Sequence, residues 1–106
     1  MIFSFPTPYY AVIFTSVKTE TLAGYEAMND KIYDEVEKNE GYLGFENGTL
    51  DNDAGIHISY WDSMEAIEQW KNNHLHNIAK KQGIENWYKQ YNIKICKVES
   101  DHVFQK

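Results

Sequence analysis

The chain has 106 residues, 42% hydrophobic and 15% aromatic, which fits one domain and is far too apolar for a disordered segment. Net charge is -6 and all ten basic residues are lysine, so the bidentate forks that read phosphates and base edges are missing and nucleic-acid binding is not expected. No apolar run approaches the ~20 residues of a membrane span, Met1 to Pro8 lacks a basic leader region, and the single cysteine, Cys96, fits a reducing compartment; a soluble cytoplasmic protein is expected.

Residues 1–8 carry both prolines and read as an extended arm, with residues 9–106 forming a single domain. Tyr9 to Val17 is β-branched and aromatic at both parities, the pattern of a strand buried on two faces. Leu22, Tyr25, Met28, Ile32 and Val36 recur at helical spacing between a Thr19-Glu20-Thr21 start and Gly41, predicting a first helix of about five turns. Tyr42 to Leu50 and Ile56 to Trp61 flank the turn residues Asp51 to Gly55 and form a hairpin. Asp62 or Ser63 can cap a second helix running to about Lys81, with Asp62 and Glu65 at capping-box spacing. Gln82 to Tyr88 reads as a turn with a short helical piece, and Gln90 to Val98 alternates as a last strand.

The order β-α-β-β-α-β predicts an α+β, ferredoxin-like fold: a four-stranded antiparallel sheet with two helices on one face. The other face would be left apolar and open, and a large apolar patch normally marks an interface. The expected partner is a second copy of the chain, giving a homodimer.

Two segments carry a resemblance: Glu40-Gly41-Tyr42-Leu43-Gly44-Phe45-Glu46, and Ser59 to Trp70 with Trp61, Ser63, Glu65-Ala66 and Trp70. Across most of residues 9–99 the chain resembles the antibiotic biosynthesis monooxygenase family of dimeric α+β barrels. The resemblance implies a cofactor-independent oxygenase acting on a hydrophobic, aromatic or polyketide-like substrate, or a haem-degrading member. Haem-degrading members use an Asn in the first strand, a Trp in helix two and a His later in it. Trp70 matches the Trp, but Tyr9 to Val17 contains no Asn, and His74 and His76 follow Trp70 by only four and six residues.

On a continuous second helix, about 100° per residue places Ile67, Trp70, His74 and Ile78 within ~80° of one another on the inward stripe. His76 would then lie ~160° from His74 and face solvent. His74 beside Trp70 is therefore the expected catalytic pair, with the imidazole as general base or haem ligand; a core histidine bonded to a backbone carbonyl is the structural alternative. Phe14, Tyr60, Trp87 and Tyr88 can build an aromatic pocket around a flat ligand, or serve simply as core. His57, on the strand-three side shared with Ser59 and Trp61, is a further candidate for substrate binding. No His, Cys or carboxylate cluster has metal-ligand spacing, and no Rossmann or phosphate-loop motif is present, so no metal, flavin or nicotinamide is expected. The non-catalytic alternative is a dimeric protein that binds a small hydrophobic molecule.

Overall fold

A computed structural model describes residues 2–106. Its sheet is built from β1 (Tyr9–Lys18), β2 (Tyr42–Thr49), β3 (Gly55–Trp61) and β4 (Tyr88–Val98), in the order β2-β3-β1-β4. Every pairing is antiparallel. With its helices on one face, the chain has the α+β ferredoxin-like fold that its element order predicts. Among the described residues no helix is long and apolar enough to cross a membrane.

The first helix is shorter than the apolar spacing suggests. α1 spans Tyr25–Val36, entered through Gly24 at a φ of 82°. Thr19, expected near its start, is instead tied to the far end of the chain: its N-H donates to the Trp87 carbonyl and its hydroxyl to the Asn86 carbonyl. Helical periodicity marked the inward-facing Tyr25, Met28, Ile32 and Val36, but Leu22 is exposed and these bonds hold the entry residues off the helix axis. At the other end, Gly41 lies beyond the helix and opens β2. Its φ is 88°, and a Cβ there would sit 2.4 Å from Asp62 Oδ1 and 2.6 Å from the Ala66 Cβ, so only glycine lets the loop pass this close.

Ser63 caps α2 (Met64–Lys71) by accepting from the Ala66 N-H at 3.1 Å. The expected second helix is not continuous. α2 ends at Lys71, and α3 (His74–Gln82) begins afresh after Asn72 and Asn73. Asn73 has an extended backbone, and its side-chain oxygen accepts from the His76 N-H at 3.0 Å. A side chain that satisfies the orphan donors of a helix start competes with continuing the previous helix. A π-helical turn, Gly83–Trp87, then leads into β4, which begins two residues earlier than alternation predicts.

The core sits between α1, α2 and the sheet: Val36, Trp61, Ala66, Ile67 and Trp70, with Val12, Ile32 and Tyr42 packed against them. Trp61 is 2% exposed, and its indole N-H donates to the Ser59 hydroxyl, so its one polar atom is satisfied. On the opposite sheet face, Phe3 and Phe5 fold back over Tyr9 and Tyr60. The Tyr9 hydroxyl donates to Asp101, tying this cluster to the end of the chain.

Candidate functional site

Strand register lays out the floor of a cleft between the sheet and the helices. One cross-strand row reads Asn47, His57, Phe14, Ile93; its neighbours are Phe45, Ser59, Val12, Ile95 and Thr49, Gly55, Ser16, Tyr91. These are alternate residues on each strand and so share the helix-side face. Tyr25, Asn29 and Tyr33 of α1, Trp70 of α2, and His76 and Lys80 of α3 close over them. The cleft measures about 520 Å³, within the roughly 300 to 1,000 Å³ range of small-molecule sites. Along the edge strand β4 no helix covers it, and Tyr91, Ile93 and Ile95 are 37%, 50% and 41% exposed.

Two histidines line this cleft. His57 stacks on Phe45 with ring centres 5.2 Å apart, and Tyr33 completes the cluster, 4.8 Å from Phe45 and 6.1 Å from His57. Burial holds the His57 imidazole below its ordinary pKa, so it is neutral at pH 7 and able to accept a proton. His76 stacks on Trp70 at 4.9 Å and 26°. Burial lowers its pKa first and the Lys80 ammonium second, against partial opposition from the Trp70 carbonyl. Its Nδ1 is buried and makes no hydrogen bond. Tyr88, edge-on to Phe14 at 5.4 Å, has its phenol pushed far above the usual value by burial and by Tyr25 beside it, so it remains a protonated donor.

The structure brings together Trp70, Phe14, His57 and Tyr88 and leaves three expected residues outside. His74 is exposed and does not line the cleft. The helix break explains the reversal: the Asn73 cap resets the phase of α3, turning His76 onto Trp70 and His74 outward. Tyr60 lies on the other sheet face, packed on Phe5 and Tyr9, with its hydroxyl donating to Glu46 at 2.7 Å. Burial and that carboxylate raise its pKa to about 12. Trp87 is buried behind the cleft, donating to the Ala23 carbonyl and meeting Tyr25 edge-on. Sequence reasoning missed Tyr33, Asn47 and the inward role of His76. The Asn72-Asn73 pair was the available signal, because Asn is among the strongest N-caps. Among the described residues, no group of three or more His, Cys, Asp or Glu side chains could hold a metal ion.

The family model for antibiotic biosynthesis monooxygenase matches residues 8–82. The uncharacterized protein YqjZ of Bacillus subtilis is 39% identical over 99 residues, covering 93% of this chain and 87% of that protein. Among solved structures, Rv0793 from Mycobacterium tuberculosis superposes with a TM-score of 0.74 at 11% identity, over 91% of this chain and 99% of that one. A point mutant of SnoaB from Streptomyces nogalater, described as a cofactor-independent oxygenase, gives 0.73 at 6% identity, over 88% and 95%. At such identities the two structures show a shared fold.

Proposed function

The chain belongs to the antibiotic biosynthesis monooxygenase family, and from that premise we propose that the cleft oxidises a flat hydroxylated aromatic substrate with dioxygen and no bound cofactor. One observation carries the reading: two imidazoles kept neutral by burial, His57 on the floor and His76 on the helical wall, line a single aromatic cleft. In this mechanism His57 is the base and takes the phenolic proton. The phenolate passes one electron to dioxygen, and the radical pair joins at a ring carbon to form a C–O bond. The resulting peroxide anion takes back the proton held by His57, and the hydroperoxide so formed loses water as its O–O and C–H bonds break, the C–H proton leaving with the departing hydroxide, to give a quinone. One oxygen atom enters the product and the other leaves in water. Tyr88, held protonated, serves as donor to a substrate oxygen, and the aromatic walls exclude bulk water from the anion.

Haem ligation through His74 does not fit this arrangement, because His74 is exposed outside the cleft.

The same reading includes a homodimer. Ile13 and Ile58 pair across β1 and β3 on the sheet face away from the helices, which a second copy would cover. Sedimentation at micromolar concentration is expected to give a dimer; a monomer would remove this part.

The activity is tested by dioxygen uptake with hydroxynaphthalenes. His57→Ala is expected to lower turnover at least ~100-fold, the usual worth of a positioned base, while His74→Ala leaves it unchanged. Turnover that survives both His57→Ala and His76→Ala would refute the assignment.

A further inference from the structure

The charges lining the cleft run against those of the chain. The protein as a whole has 16 acidic residues against ten lysines, yet the cleft is lined by Lys18, Lys71 and Lys80 and by one carboxylate, Asp53. Lys71 is committed to a surface ion pair with Glu68 at 3.7 Å. Lys18 and Lys80 form no ion pair among the described residues. The Lys18 ammonium sits over the Tyr25 ring, 5.1 Å from its centre, at the sheet end of the cleft. The Lys80 charge is felt by His76 on the helical wall. With three lysines against one carboxylate the lining is net positive, which attracts anionic ligands, and low-dielectric aromatic walls strengthen the effect.

We propose that the natural ligand of this cleft is a hydroxylated aromatic ring that also bears a carboxylate, rather than an uncharged phenol: its flat ring lies between sheet and helices while its acidic group stays at the rim, held by Lys80 with Lys18. The inference rests on the cleft being the binding site and adds the chemical class of what enters it. The ring fits the aromatic walls of Phe14, Tyr88 and Trp70, and the acid supplies the anion that two unpaired ammonium groups lack. A charge-assisted contact of this kind also orients the ring, fixing which edge meets His57.

The test is a titration of the intact protein, followed by tryptophan fluorescence, with a hydroxynaphthoate and with its methyl ester. The acid is expected to bind about tenfold more tightly than the ester, a difference that shrinks as salt rises. Lys80→Gln is expected to cost the acid about tenfold and to leave the ester unchanged, with a smaller loss for Lys18→Gln. Lys81→Gln, one residue along the same helix end and outside the cleft, serves as control for the general effect of removing a lysine from α3. Equal affinity for acid and ester, both abolished by a bulky substitution at Phe14, would overturn the carboxylate inference and leave the cleft as the binding site. Binding of neither would overturn both. Equal losses in Lys80→Gln and Lys81→Gln would likewise refute a specific role for Lys80.

Discussion

Replacing Asn73 by alanine removes the device that turns α3 and sets which histidine meets Trp70. The Asn73 side-chain oxygen accepts from the His76 N-H at 3.0 Å, and its amide nitrogen reaches Glu35 of α1 at 3.4 Å. Losing an N-cap of this kind costs about 1 kcal/mol, within a range of roughly 0.5 to 2, and the long, partly exposed contact to Glu35 adds a few tenths. For a domain near 100 residues, each kcal/mol moves the midpoint by about 4 to 8 °C. Asn73→Ala is therefore expected to lower the thermal midpoint by roughly 5 to 10 °C, and Asn73→Ser, which keeps a capping oxygen and sets no second carboxylate against Glu35, by much less. Ligand affinity should fall with the cap, because His76 loses its fixed place on Trp70. Thermal denaturation of the three proteins provides the check. A midpoint within a degree of wild type for Asn73→Ala, or an equal drop for Asn73→Ser, would refute the capping argument.

Gly41→Ala combines a left-handed backbone with a Cβ overlapping Asp62 and Ala66; strain and overpacking together predict a loss of about 2 to 5 kcal/mol, seen as a lower urea midpoint, and an unchanged midpoint would contradict the geometry. Stability should also fall on mild acidification. Burial lowers the pKa of His57 and of His76 in the folded protein, so below the ordinary histidine value of ~6.5 the unfolded chain binds protons that the folded one refuses. Stability is full above that value and declines as pH drops from it toward the folded values, by at most about 1.4 kcal/mol per pH unit for each histidine. His57→Gln and His76→Gln should each flatten this decline in denaturant titrations between pH 7 and pH 5, whereas a slope identical to wild type in both would remove the buried-imidazole account.

Alternation, turn chemistry and, for β1, a run of β-branched and aromatic residues were enough to give the four strands to within two residues. The Ser63 cap was readable for the same local reason. On the sheet the candidate site was legible because Phe14 and His57 follow from strand parity once register is known. Trp70 was readable from helical spacing because it precedes the break. His74 and His76 were exchanged because angular reasoning assumes an unbroken axis, and a two-residue interruption rotates everything after it. Tyr60 illustrates a different limit. Its aromatic character suits a pocket and a sheet face equally, and only register, pairing it with Gly44 opposite the helices, decides between them. Trp87, expected in the pocket wall, lies behind it, because the π-helical turn points its indole N-H at the Ala23 carbonyl.

The chain carries four histidines, two lining the cleft and two, His74 and His102, exposed. Their imidazole resonances, followed by NMR while a hydroxynaphthoate is titrated into the protein, therefore test the site with internal controls. The account predicts that the His57 and His76 signals shift together and saturate with one dissociation constant while those of His74 and His102 stay in place; movement of His74 with His57 and His76 silent would contradict it.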